Sequence, residues 1–472
     1  MTVVLNGSSL TIKQVVCVAR GGEDVSLAPE ALMRMARSRE VVNNRFERGE
    51  KVYGLTTGVG VLKKETWVAG REGGHADRRL LEFHRISQGP RYPNEVVRAA
   101  AVRLANHFAM GVVGVRPELA ERVVASLNNG ADPNVPMLGE NLVVMPALAL
   151  GYIGDMELAA GEGLALLSNT AILNGHAALI LDDLSRLVAA MDVAIAMSYE
   201  AFRCKITQVH EGAIRLRRQE GVARSAERIR SLLDRSALWD TSNARNLQDP
   251  ISFRCAAHIQ GAIYDAMAYT TDLLERELNS SQNNPVILAE TDEVVAIGNW
   301  EVQSMMAALD FLRLSLATPL TASQERSIKL LDKAWSGLPT GLVSKEGSGD
   351  SGLAMYQILV GALAAEARLL APPVSNEVTS TTGAEGIEDR WNFGLLSCRR
   401  LDEMVRLGEL IVAVELLVAA EAMELRGLDG MGSGARAAFD AVRSVVPAAF
   451  RGGPLPSDLS PLTALIRQGG LP

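Results

Sequence analysis

The sequence predicts an all-α protein, a bundle of long helices behind a small N-terminal cap region, and three observations carry that prediction. Apolar residues recur at three- and four-residue spacings over repeated segments of twenty residues or more, where globular helices average about 11–12. Proline, which breaks helix interiors, is absent from Met156 to Phe202. Few segments alternate polar and apolar residues as a half-buried strand does.

In chain order, residues 1–75 are mixed and include the glycine- and threonine-rich turn YGLTTGVG from Tyr53 to Gly60. Helical character sets in after about residue 97. The stretch Met156–Phe202 is Ala-rich and reads as helix over nearly its whole length. Comparable segments follow at Ala256–Glu277, Val302–Leu316, Leu353–Leu370 and Leu395–Leu425. Several are apolar on more than one face, as in VRLGELIVAVELLVAAEAMEL from Val405, so burial on several sides and against other subunits is expected. No solenoid repeat and no linker interrupts the chain. The expected division is an N-terminal region with a lid loop over 1–125 and a central long-helix bundle over 126–472.

Length and composition set the remaining bounds. The chain has 472 residues, of which 48% are hydrophobic and 22% charged, which is ample for a large core and too little charge for a disordered chain. Lys and Arg total 47 against 55 Asp and Glu, a net charge of −8, and no basic run marks a nucleic-acid surface. The four cysteines, Cys17, Cys204, Cys255 and Cys398, are scattered without a CxxC pair, which argues against structural zinc and a disulfide framework. The N-terminal residues lack the pattern of a signal peptide, and no stretch approaches about 20 uninterrupted apolar residues. A soluble, cytoplasmic protein without membrane or nucleic-acid partners is expected.

Between the helices lie polar, glycine-rich loops: NLQDPISFRC from Asn246, NSSQNNP from Asn279, GLPTGLVSKEGSGDSG from Gly337 and PPVSNEVTSTTGAEGIEDRWNFG from Pro372. Loops on a rigid scaffold are where sites are assembled. Three pieces of these loops, QDPISFRC from Gln248, NSSQNNPVI from Asn279 and IEDRWNFG from Ile387, join YGLTTGVG, LLEFHRISQG from Leu80, GEGLALLSNT from Gly161, GNWEVQS from Gly298 and QERSIKLLDKAWSGLPTGL from Gln324 as eight motifs that resemble, in order, those of the histidine/phenylalanine ammonia-lyases and aminomutases. The resemblance runs from about residue 5 to about residue 465. It implies an all-α homotetramer whose active sites are shared between subunits, with small-molecule substrates.

Enzymes of that family work through a methylidene-imidazolone (MIO) ring formed from an internal Ala-Ser-Gly. Here the matching stretch is NVPMLGENLVVMPALALGYIG from Asn134, and the triplet falls on Leu138-Gly139-Glu140. No serine lies between Ser126 and Ser168. Loss of the serine hydroxyl creates the ring's methylene, and the glycine nitrogen closes the ring, so no MIO and no other cofactor or metal is expected. Two supports of the ring differ as well: Ser168 stands at the family's asparagine and Ile251 at its tyrosine.

Other positions keep the family's residues. The resemblance places Tyr53, His84, Arg254, Gln303 and Glu388 where its site residues stand. Arg254 suits a substrate carboxylate, because a guanidinium pairs bidentately with two oxygens. Tyr53 serves as acid or base if cations lower its pKa, and His84 titrates near neutrality unaided. Glu140 is new at the electrophile's position, where burial would raise its pKa. The expected function is MIO-independent acid–base elimination, isomerisation or intramolecular condensation and cyclisation, with Tyr53, His84 and Glu140 catalytic. Arg254, Gln303, Glu388, Ser168, Ile251 and Leu138 are expected to bind an activated, largely apolar substrate bearing a carboxylate or carbonyl. The alternatives are a conventional aromatic amino acid ammonia-lyase or aminomutase, and a catalytically silent binding or scaffold subunit.

Overall fold

The structure is a computed structural model that describes residues 2–65, 73–345, 347, 349–377, 380–449 and 455–472. These residues are mostly helical, as expected. They form two compact units, one of residues 1–182, 270–307 and 374–399, the other of residues 183–269, 308–373 and 400–472.

In the first unit, helix Ile12–Gly21 opens on a capping box, in which Thr11 and Gln14 exchange bonds between side chain and backbone. The core is built on helix Asn94–Ala109, where thirteen of sixteen residues are buried, so neighbours surround it on every side. Its alanines permit close approach: a Cβ on Gly175 would stand 2.6 Å from the Ala100 nitrogen. The strands are four short two-stranded ribbons. Val3–Leu5 pairs parallel with Val25–Leu27, while Gln88–Arg91 with Pro136–Leu138, Val286–Leu288 with Glu293–Val295, and Ser380–Gly383 with Glu388–Arg390 are antiparallel.

The expected continuous helix over Met156–Phe202 is broken. Helix begins at Glu162, stops at Leu167 and resumes at Ala171, running to Phe202. The cause is the Asn169 side chain, which donates to the Ala165 and Leu166 carbonyls at 3.2 and 3.1 Å and accepts from the Ala171 N–H at 3.0 Å. It thus ends one helix and starts the next, as local side-chain bonds of asparagine do. The 41-residue stretch Glu162–Phe202 has the length and composition to cross a membrane, but its most apolar window is wholly buried within the protein. The other long helices are Ala256–Glu277, Gln303–Leu331, Tyr356–Leu370 and Gly394–Arg426. The second of these runs well past the expected Leu316, with Pro319 inside it.

The second unit is held by a buried ion pair. Arg326, 2% exposed, forks onto Glu415, 0% exposed, with Nε–Oε1 at 2.6 Å and Nη2–Oε2 at 2.8 Å. Ser198 also donates to Glu415 at 2.7 Å, and Arg326 Nη1 donates to the Ser252 carbonyl at 3.1 Å. Removing one partner strands the other charge in a low dielectric. Glu415→Ala is therefore expected to cost about 3–5 kcal/mol in denaturant unfolding. The Arg326→Met/Glu415→Leu double variant should recover most of that loss.

Candidate active site

Seven of the nine residues nominated from sequence lie in the first unit: Tyr53, His84, Leu138, Glu140, Ser168, Gln303 and Glu388. Arg254 and Ile251 lie in the second.

His84 ends helix Gly73–His84, and its Nδ1 is 2.8 Å from the Leu80 carbonyl oxygen. A carbonyl only accepts, so Nδ1 carries the proton in the neutral ring and Nε2 is left as the basic nitrogen. One turn region later, the ribbon registers Gln88 against Leu138. Leu138 is the exposed end of its strand, and Gly139 follows with φ +153°, where an added Cβ would stand 2.6 Å from Val143 Cγ2. The absence of a side chain at Gly139 lets the chain turn this tightly into helix Asn141–Ile153.

Glu140 is the N-cap of that helix, and its Oε2 accepts from the Leu142 N–H at 2.8 Å. Such a bond favours the carboxylate. Burial outweighs it, and the negative charge of Glu388 adds to burial, so the carboxyl is pushed up to about 7. Glu388, on its short strand, is itself raised by burial and by the adjacent Asp389.

Tyr53 sits in the turn before Gly60, whose N–H donates to the phenol oxygen at 3.0 Å. Its ring lines a small cavity with Val42, Leu55, Leu164 and Pro285. The sequence made its service as a base conditional on cations that lower its pKa. That condition is not met: burial raises the pKa and the charge of Glu388 raises it further, against smaller opposing effects from the Gly60 bond and Lys63. Lys63 is instead drawn 2.9 Å from Glu385, which ties the Tyr53 turn to the turn that precedes Glu388. Tyr53, Glu140 and Glu388 therefore form one electrostatic group, in which Tyr53 is a neutral phenol and thus a proton donor.

The binding positions divide. Ser168 closes helix Glu162–Leu167 and is 9% exposed, with its hydroxyl bonded to no described protein group. Gln303 opens helix Gln303–Leu331, and its amide oxygen accepts from Arg390 Nη2 at 2.7 Å, which leaves the amide NH2 to other acceptors. In the second unit, Arg254 ends the helical turn Ile251–Arg254, forms no ion pair with a described residue, and has its Nε buried without an acceptor. A ligand carboxylate would meet that need. Ile251 opens the same turn and is exposed. Asp249 accepts from the Lys205 N–H, Gln208 and Asn246, so it fastens this loop.

Two residues escaped the sequence reading. Asp77, fully buried on helix Gly73–His84, accepts from the Gly163 N–H at 2.7 Å, and a Cβ on Gly163 would fall 2.5 Å from the Asp77 carbonyl oxygen. Burial, with the charge of Glu162, pushes its carboxyl up to about 7. Its signal was a carboxylate on the same helical stripe as Leu81 and His84, at i, i+4 and i+7. Asn141 donates to the Asn169 carbonyl, while its own Oδ1 is buried without a partner. Nothing in the sequence marked it. Among the described residues no group of His, Cys, Asp or Glu is arranged to hold a metal ion.

Glu140 should be visible in stability. Its folded value near 7 exceeds the ordinary 4.5, so the folded state keeps a proton that the unfolded state releases. Between pH 4.5 and 7, rising pH therefore costs the folded state stability. Glu140→Gln should flatten that stretch of the profile and be more stable than the parent by about 1–2 kcal/mol at pH 8, measured by urea unfolding across pH.

Comparison with known proteins agrees with this geometry. A family model described as aromatic amino acid lyase matches residues 10–154 and 137–444. A histidine ammonia-lyase of Gloeobacter violaceus is 33% identical over 94% of this chain and 91% of its own. One from Alkaliphilus metalliredigens is 30% identical over 94% and 92%. Among solved structures, the ergothioneine-degrading enzyme ergothionase of Treponema denticola superposes with a TM-score of 0.93 at 26% identity, covering 100% of this chain and 99% of that one. Tyrosine aminomutase from Streptomyces globisporus gives 0.92 at 26%, covering 100% and 97%. With the helical scaffold, the Tyr53 turn and the arginine-bearing loop in the family's order, this chain belongs to the aromatic amino acid lyase family.

Proposed function

We propose that this protein is an enzyme that uses the ammonia-lyase scaffold without MIO and runs on proton transfer between its own side chains and an activated substrate. The observation that carries this reading is Glu140 in the electrophile's position, with a carboxyl pushed up to about 7. The residues present do not fit the ring. Leu138-Gly139-Glu140 offers no hydroxyl to eliminate, and the nearest serines in the chain are Ser126 and Ser168. No step is therefore routed through that group.

Without an electrophile, the β-proton of an amino acid is too weakly acidic for a carboxylate or imidazole to remove. A substrate with its own electron sink, such as a β-dicarbonyl or thioester, needs only a positioned base and acid. His84 Nε2 and Glu140 supply the base, and Glu140 exists in both protonation states near neutrality. Tyr53, held as a phenol, donates its own proton to a developing enolate or carbonyl oxygen and regains one when that oxygen gives up its proton. The abstracted proton stays on the base until it passes to the product or to water. Arg254, with its unmet Nε, and Gln303, with its free NH2, bind the carboxylate or carbonyl, while Leu138 and Ile251 meet the apolar part. Ser168 and Glu388 are the remaining binding residues of the proposal. Elimination, isomerisation and intramolecular condensation or cyclisation all fit this set.

The assembly proposed is a homotetramer. Phe311, Leu314, Ile358 and Leu369 are 43–77% exposed on helices of the second unit, a density of apolar surface that other copies would cover. Four free cysteines support a reducing compartment such as the cytoplasm. A conventional ammonia-lyase is the second reading, and the names of its relatives favour it.

Intact mass and ultraviolet difference absorption separate the two. The MIO-free protein has the mass of its sequence and no ring absorption, and it leaves histidine, phenylalanine and tyrosine unchanged. A mass short by two waters, or turnover of those amino acids to unsaturated acids, refutes the proposal. With a β-keto thioester as probe, protein-catalysed deuterium exchange at the activated carbon should fall by about 10²–10⁴ in His84→Ala and Glu140→Gln. An exchange rate at the buffer background in the parent protein would instead identify a silent subunit.

A further inference from the structure

The second unit carries a cleft that the proposed reaction does not use. Helix Glu220–Leu232 presents Arg224, Glu227, Arg228 and Ser231 at spacings of three and four, so they share one face. That face lines a cleft of about 390 Å³, with Tyr264 and Met267 on helix Ala256–Glu277 and Ala189 on helix Ala171–Phe202 as further walls. The volume falls in the range of small-molecule sites, about 300–1,000 Å³.

The arginines there are unusual. Neither pairs with a described Asp or Glu side chain, and Arg228 reaches only the oxygen of the last residue, Pro472. The Arg224 guanidinium lies over the Tyr264 ring, 4.7 Å from its centroid, a stacking that leaves its N–H edge for an acceptor. Arg228 Nη2 donates to the Pro472 main-chain oxygen at 2.8 Å, while its Nε is buried with no acceptor at all. The ring under Arg224 is fixed, because the Tyr264 hydroxyl donates to Asp192 Oδ2 at 2.6 Å. Ser225 occupies the other oxygen of Asp192 at 2.7 Å. The buried carboxylate below the floor is thus hydrogen-bonded by hydroxyls, while the charges of Arg224 and Arg228 act on it only through space.

We propose that this cleft binds a small-molecule carboxylate, with its oxygens on Arg224 and Arg228 and its apolar body against Met267 and Ala189. A planar carboxylate matches a guanidinium edge. Glu227 on the same helix face places a negative charge nearby, which favours a monoanion over a phosphate dianion. This site is independent of the proposed reaction, since it shares no residue with it.

The test is calorimetric titration of the full chain with butyrate and with inorganic phosphate. Butyrate should bind, and more tightly than phosphate. Measured in the Arg254→Gln background, which removes the other carboxylate-binding arginine, Arg224→Gln and Ser231→Glu should each weaken butyrate at least tenfold. Ser231 is exposed, so its variant adds a negative charge without disturbing the core. Absence of butyrate binding in the Arg254→Gln background, tighter phosphate binding, or undiminished butyrate affinity in both cleft variants would each overturn the assignment.

Discussion

The contact on which the first unit's chemistry depends is the approach of Gly163 to Asp77. The two segments touch so closely that no side chain fits between them, and one hydrogen bond from a backbone N–H to a buried carboxylate fixes their relation. One segment carries His84 seven residues beyond Asp77. The other carries Ser168 five residues beyond Gly163. A shift of either helix would move both groups, because interiors packed at this density do not deform continuously. Glu162, next to Gly163, is locked from the other side by Arg116, whose backbone N–H and guanidinium both donate to it. Arg39 adds bonds to the Gly114 and Ala160 carbonyls, two residues that line the Tyr53 cavity. Charged groups here set position rather than add net stability, a use that fits the small or negative energetic return of buried ion pairs.

Burial also decides the proton inventory. In water, a carboxylate, an imidazole and a phenol would titrate over some six pH units. Here the carboxyl of Glu140 moves up toward neutrality and the phenol of Tyr53 moves further from it. The same desolvation, acting on two acids, brings one into working range as acid and base and confines the other to proton donation. Glu388 strengthens both effects with a single negative charge. The hydrogen bond from Leu142 to Glu140 works in the opposite direction and holds the carboxyl near 7 rather than higher.

The long helices were legible because their evidence is periodic and redundant: Ala256–Glu277 coincides with its predicted limits, and Gly394–Arg426 exceeds them by a residue at each end. The break at Asn169 was not, since a single side chain that bonds backwards and forwards leaves no mark on hydrophobic spacing. The site residues were legible as a set because they stand in ordered motifs. Their protonation states were not, because desolvation depends on what other segments place around a group. Tyr53 shows the difference: Lys63 lies near it in sequence, but the structure directs that cation to Glu385. Asp77 was hidden for the opposite reason, since a carboxylate beside apolar residues on one helical stripe is ordinarily a solvated edge.

A scaffold that exchanges an electrophile for a carboxylate changes what its substrate must provide. An electrophile draws electrons from the substrate and so creates acidity where there was little. A carboxylate near neutrality does the opposite: it accepts a proton only when the resulting carbanion is already stabilised within the substrate. The features around Glu140 are consistent with that division of labour. An exposed Leu138 and a Ser168 hydroxyl bonded to no described protein group offer surface and a hydrogen bond. The strongest unmet donor among the nominated residues, Arg254 Nε, suits a preformed oxyanion remote from the reacting carbon. Such an arrangement gains its rate from orientation and from matched proton affinities, so its selectivity resides in which activated carbon lies against Glu140 and His84.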